Sequence, residues 1–249
     1  MTRTTQLLTS YLQAFIFAAL GIRCFMSWQR ERDRRSGHLA LASGTYGLQS
    51  LIQAITTTFI DQTKQEQSPR WESILVSILL LVSVYLFLLF LSDFIPFPKV
   101  VHGLFILATL GAIVFAFIER PDLRLNFNTF KIEKIPGVHN PVDFTTYVNG
   151  LLVYLIIAFG TLAVSFFVYG SRSRGLARFR MISIGSGFAL FCVVLGLLPR
   201  ILTSGGSVKN LLNVLTYVAL LVGPLLFVGF SPPKFVRSRF PESESQIAT

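Results

Sequence analysis

Charge is scarce in this sequence: Asp, Glu, Lys and Arg make up 14% of the 249 residues, where a soluble domain carries roughly a quarter. Acids are scarcer still, 12 against 22 Lys and Arg, for a net charge of +10. In a soluble chain that balance points to nucleic acid. Here the bases fall in short bursts between apolar runs. The interleaved aromatics or folded basic module of a nucleic-acid grip are missing, Phe179 alone being insufficient, so no nucleic-acid partner is expected. Two cysteines, Cys24 and Cys192, each inside an apolar run, make neither a disulfide framework nor a thiolate metal site; both read as small buried apolar side chains.

Other absences narrow the chemistry. His38, His102 and His139 form no His-x-x-x-His pair and no Glu-x-x-His signature, so a helix-borne zinc or di-iron site is not expected. His38 and His102 read as interfacial residues rather than as axial haem ligands. No serine sits in a Gly-x-Ser-x-Gly elbow and no Gly-rich phosphate loop occurs; "SGGS" at 204–207 is a plain turn. Catalytic residues, metal ligands and cofactors are therefore all read as none. All six lysines lie in connections or at their edges, which excludes a retinal Schiff base. Ionisable residues in mid-membrane, the usual mark of proton relays and voltage sensors, are also missing. Arg23, Asp93 and Arg200 fall within reach of a span end, where long side chains snorkel, and Asp61 sits at an outer end.

What is abundant is apolar length. Hydrophobic residues make up 52% of the chain, 24 of them phenylalanine, and the mean hydropathy is +0.62. A helix crossing ~30 Å of hydrocarbon needs about 20 such residues. Seven stretches meet that length: about 5–28, 38–60, 72–92, 100–118, 145–169, 181–203 and 209–230. The first reads as an uncleaved span, having no small-residue cleavage site after it. The second, "HLALASGTYGLQSLIQAITTTFI", is the most polar. The alternating ten-residue segments of a membrane β-barrel do not occur. The expected fold is all-α, a single bundle of seven transmembrane helices over 1–230 with a basic, then polar, tail over 231–249.

Flanking bases set the direction, because positive connections stay cytoplasmic. One side holds Arg30, Arg32, Arg34 and Arg35 after the first span, Lys99, then Arg172, Arg174, Arg178 and Arg180 in "SRSRGLARFR", and Lys234, Arg237 and Arg239: twelve bases against five acids. The other side holds nine against seven. The N-terminus is expected outside and the C-terminus in the cytoplasm. The arginine runs read as contacts for anionic headgroups, on the order of 1 kcal/mol per base, and for a cytoplasmic partner.

Uncharged polar residues follow helical faces. Tyr46, Gln49, Gln53 and Thr56 form one stripe of the second span; Asn210, Asn213 and Tyr217 lie close together in the seventh, and Asn149 and Tyr154 lie in the fifth. Gln49, Gln53, Asn149, Arg200, Asn213 and Tyr217 are the candidate ligand residues, in a cavity open to the outside. The competing reading of such residues is interhelical hydrogen bonding, worth ~0.6 kcal/mol each. Small residues four apart (Ala14 and Ala18, Ala40 and Gly44, Ser43 and Gly47, Ser183 and Gly187) suit close helix contact, and Pro224 suits a kink in the last span. The long connection 119–144 has amphipathic features, Leu123, Leu125, Phe127, Phe130, Ile132 and Ile135, that suit a cap on the outer mouth or an interfacial segment.

The exit "SPPKFVRSRF", with Pro232 and Pro233 ending the last span, completes a pattern. Seven spans, arginine connections after the first and fifth, and this Pro-Pro-x-aromatic-x-Arg exit resemble bacterial seven-helix sensor modules, which precede cytoplasmic GAF, histidine-kinase, phosphatase or cyclase domains. The resemblance implies perception of a stimulus outside or within the bilayer and its passage along the last span. It carries over no catalytic residue, and with no output domain in these residues it implies either a separate cytoplasmic partner or a stand-alone or fragmentary relative of those modules. Two other functions compete: a facilitator for a small neutral or amphiphilic solute, and a lipid-modifying enzyme built on Asp93 with His38 and His102.

Overall fold

The computed structural model describes residues 3–63, 70–95, 97–118, 123–126, 131–134, 144–203 and 209–240. Of these, 3–6, 57, 60–63, 70, 73, both strands, 144–148, 198–203, 209–216 and 219 are described by backbone alone. The chain is a helical bundle: α1 (Arg3–Glu31), α2 (Arg34–Thr63), α3 (Arg70–Ser92), α4 (Lys99–Ile118), α5 (Phe144–Arg172), α6 (Gly175–Thr203) and α7 (Lys209–Phe230), then the single turn α8 (Lys234–Arg237). Among the described residues, five helical segments are long and apolar enough to cross a membrane: Leu7–Glu31, Ile74–Ser92, Lys99–Ile118, Asn149–Arg172 and Gly175–Leu197. The all-α expectation holds for the bundle, and one short hairpin is added to it in a connection. Within the long connection, β1 (Leu123–Asn126) pairs antiparallel with β2 (Lys131–Lys134), Leu123 opposite Lys134 and Asn126 opposite Lys131. Apolar residues two apart, Leu123 and Leu125, carry the period of a strand rather than of an interfacial helix.

Two-residue links fold neighbouring helices back on each other. Between α1 and α2 the chain reverses at Arg32, whose φ of 55° is rare for a residue with a side chain. Asp33 then caps α2: its carboxylate accepts from the Arg35 and Ser36 amides at 3.3 and 3.4 Å and from the Ser36 hydroxyl. Between α5 and α6 the link is Ser173–Arg174, and Gly175 takes the positive φ of 56°. Such short links leave the joined helices antiparallel and in contact. α1 packs on α2 and α7, α2 also on α3, and α6 on α5 and α7; α3 and α5 meet in the middle, with α4 against their outer side.

Phenylalanine makes the centre. Phe159 stacks on Phe191 at 4.8 Å and on Phe188 at 5.8 Å, Phe166 on Phe188 at 6.1 Å and on Phe90 at 6.2 Å. Phe87 meets Phe188 edge-on, and Tyr46 links Phe17 to Phe191. Lipid tails are as apolar as leucine, so packing of this kind, not expulsion from water, separates the inside of such a bundle from its outside. The outside stays apolar: Phe15, Ile22, Leu41, Val100, Leu107, Val153 and Val164 are all exposed.

α2 is turned inside out. Its polar Ser43, Gln49, Ser50 and Thr56 are buried, while Leu41, Leu48, Leu51, Ile55 and Phe59 are exposed along one stripe. Ser83 of α3 donates to the Ala42 carbonyl at 2.9 Å, and Tyr11 bonds Thr58 across α1 and α2. The polarity that lowers the hydropathy of α2 is absorbed by protein.

Candidate functional site

A cavity of about 460 Å³ lies where the last turns of α1, α3, α5 and α7 meet the first turns of α2 and α6. Four guanidinium-bearing residues line it, Arg23, Arg35, Arg180 and Arg237, against two carboxylates, Glu31 and Asp33. Its floor is apolar, with Phe90, Phe94, Phe166, Ile184 and Phe230 among its residues.

Helical geometry selects which arginines enter. Arg180 shares a face of α6 with Ala177, Met181 and Ile184, all cavity residues, whereas Arg178 lies about 200° away and does not line it; both arginines are exposed. Arg180 donates from Nε to the Gly229 carbonyl at 3.2 Å and from Nη2 to the Phe230 carbonyl at 3.4 Å, tying α6 to the end of α7. Those acceptors belong to the last turn of α7, whose carbonyls have no partner within the helix and whose partial negative charge a cation stabilises. Arg35 lies over the Phe94 ring at 4.6 Å. Arg237 donates to the Pro232 carbonyl at 3.1 Å, fixing the turn beyond α7. Asp33 is engaged as the α2 cap, and among the described residues neither it nor Glu31 forms an ion pair with Arg23, Arg35 or Arg237. The Ser231 hydroxyl, on the cavity wall, is buried without a hydrogen-bond partner.

Beside the cavity, His38 Nδ1 of α2 lies 2.7 Å from Asp93 Oδ2 at the end of α3. Tyr169 of α5 donates to the Phe94 carbonyl at 3.2 Å. His38 is thus engaged by a carboxylate rather than directed only at headgroups. His102 packs edge-on against Phe97 at 5.9 Å. Among the described residues no three His, Cys, Asp or Glu side chains group closely enough to hold a metal ion.

The candidate ligand residues fall elsewhere. Gln49 donates to the Gln53 amide oxygen at 3.3 Å along α2; Gln49 is buried and Gln53 exposed. Asn149 and Tyr217 are exposed. The side chains of Arg200, Asn210 and Asn213 lie outside the described residues, as do His139, the 204–207 turn and the tail from 241. Among the candidates whose side chains are described, Gln49, Gln53, Asn149 and Tyr217, none lines the arginine cavity or the second cavity, about 970 Å³, between α1 and α2. Tyr154, in the same reading, bonds Thr109 of α4 at 2.8 Å. Of the basic residues singled out, Arg35 and Arg180 line the cavity and Arg30, Arg32, Arg34, Arg172, Arg174 and Arg178 do not; all eight are exposed, Arg32 over the Trp28 ring at 5.4 Å. Arg23 and Arg237 were not among the candidates. The signal for Arg23 was its place on one helical face with Ser27 and Glu31.

No family model matches the chain, and no curated protein or solved structure matches it either.

Proposed function

We propose that the chain is a seven-span input module of a bacterial cell membrane, N-terminus outside and C-terminus in the cytoplasm, which perceives a membrane-borne stimulus and passes it to a cytoplasmic partner. One observation carries the reading. The segment leaving α7, Phe230 to Arg237, is itself a wall of the arginine cavity and is held there by Arg180. An occupant of the cavity therefore touches the helix ends of the bundle and the exit of the last helix together. A ligand shifts a conformational equilibrium only through such differential contact.

Two further features support seven spans. α2 connects α1 to α3 with 30 residues, about 45 Å of helix at 1.5 Å per residue, and its exposed face is apolar. α7 presents the apolar stretch Leu220–Phe230 directly before the Pro232–Pro233 exit. The cavity moves the expected site from the outer half to the basic end. Its contact with the exit of the last helix favours sensing over a facilitator, and the His38–Asp93 contact, without His102, gives the enzyme reading a pair rather than a cluster.

The test uses native membranes. A photoreactive residue replaces exposed Phe235 on α8, and captured proteins are identified by mass spectrometry. The expected product is a cytoplasmic signalling protein whose yield changes when Arg180→Met releases the α7 carbonyls. Capture of lipid alone, unchanged by the substitution, defeats the input-module reading.

A further inference from the structure

We propose that the arginine cavity binds the phosphate of an anionic amphiphile, a phospholipid whose headgroup sits among Arg23, Arg35, Arg180 and Arg237 while its apolar portion lies on the phenylalanine floor. The inference rests on the input-module reading only for its consequence; the binding itself stands on the cavity.

Charge comes first. The four guanidinium groups outnumber the two carboxylates, and Asp33 spends its oxygens on the α2 cap. A guanidinium presents a planar fork of N–H donors that matches phosphate oxygens. Arg180 reaches the Gly229 and Phe230 carbonyls with Nε and Nη2, and Arg237 the Pro232 carbonyl with Nε, so both guanidinium groups are held in place before a ligand arrives, with Nη1 of each as the side turned to it. Preorganisation of this kind lowers the cost of binding.

Shape and polarity separate an amphiphile from a free anion. The cavity, about 460 Å³, is within the range of small-molecule sites. Phe90, Phe94, Phe166, Ile184 and Phe230 also line it, apolar surface that a bare ion leaves unused. The wall also holds a polar group with nothing to bond. Ser231 is 4% exposed and its hydroxyl has no partner. Such a group costs stability unless something accepts its proton, and a phosphate oxygen does so.

The full chain, purified in a neutral detergent, is titrated with dihexanoyl phosphatidylglycerol, dihexanoyl phosphatidylcholine and inorganic phosphate, with affinity and unfolding midpoint as readouts. Phosphatidylglycerol is expected to bind saturably and about tenfold or more tighter than either other probe. Equal affinity for phosphatidylcholine overturns the charge argument; equal affinity for inorganic phosphate overturns the amphiphile in favour of a free anion. Replacing Arg23 and Arg35 by Gln removes two charges without touching the α7 carbonyls and is expected to weaken phosphatidylglycerol binding about tenfold or more. Arg178→Gln removes a charge from the opposite face of α6 and is expected to stay within about twofold. An equal loss in both proteins means diffuse attraction and overturns the site. If the double variant unfolds, Ser231→Ala is read instead, with a severalfold loss expected and none overturning the proposal. Capture at position 235 without phosphatidylglycerol binding leaves the input-module reading intact, and the reverse result leaves the lipid site intact.

Discussion

Gly229 stands where α6 and α7 approach a steric limit. A Cβ at this position meets Ile184 Cγ1 at 2.6 Å, the Ile184 amide at 3.0 Å and the Arg180 carbonyl at 3.1 Å, and two of those three atoms are backbone that cannot turn aside. Gly229→Ala is therefore expected to destabilise the bundle by about 1–3 kcal/mol, the usual cost of overpacking. It also displaces the Gly229 carbonyl from Arg180. Gly150, in α5, is the control: a Cβ there meets nothing within 4 Å. Gly150→Ala is expected to be neutral or to stabilise by up to roughly 1 kcal/mol, since alanine is the better helix residue. Unfolding midpoints in mixed detergent micelles check both; equal losses would refute the close α6–α7 contact. Buried hydroxyls make the same distinction between packing and polarity. Ser83 finds the Ala42 carbonyl, while Ser43, one residue along α2, is buried with no partner for its hydroxyl.

Helix ends and helix faces differed in how readily they could be read from sequence, and α2 shows why. Apolar run lengths placed the ends well: 72–92 against Arg70–Ser92, and 209–230 against Lys209–Phe230. α2 begins four residues before its apolar run because Asp33 caps a polar first turn. Faces were harder, since most of these helices are apolar all round and the contact side is decided by phenylalanine shape and by small residues. The polar stripe of α2 was legible as a stripe, but hydropathy alone does not tell a ligand site from helix packing. Burial of Gln49, Ser50 and Thr56 beneath an exposed leucine face supports packing. The candidate site was legible as arginines, not as a cavity. Arg178 and Arg180 look alike in sequence, and only neighbouring α7, far along the chain, makes Arg180 the one that lines the cavity. An element-scale prediction follows from the exposed stripe. On the proposed seven-span reading, Leu48→Arg puts a cation on the exposed apolar side of α2, where a charge near mid-membrane costs about 2.5–3.5 kcal/mol on insertion scales. Membrane integration of the chain is expected to fall sharply, while Leu48→Phe integrates normally. Normal integration of the arginine variant would place that face against water or protein instead.

At the scale of the whole molecule, one end of the bundle brings together bases far apart in the chain. The start of α2, the start of α6 and the exit of α7 all meet around the arginine cavity, although 202 residues separate Arg35 from Arg237. Positive connections stay in the cytoplasm, so end and side become one question. Cysteine labelling answers it in a background lacking Cys24 and Cys192, both half-buried and free. Single cysteines replace exposed Arg34, Arg174 and Ser238 at the basic end and exposed Trp71 and Ile118 toward the other. With a membrane-impermeant maleimide on intact cells, positions 71 and 118 are expected to react, and positions 34, 174 and 238 only after permeabilisation. The reverse pattern inverts the chain and turns the arginine cavity toward the exterior, away from any cytoplasmic partner. A split among 34, 174 and 238 is the graver result. It means that the helix ends lining the cavity lie on different sides of the membrane, and no site assembled from them exists.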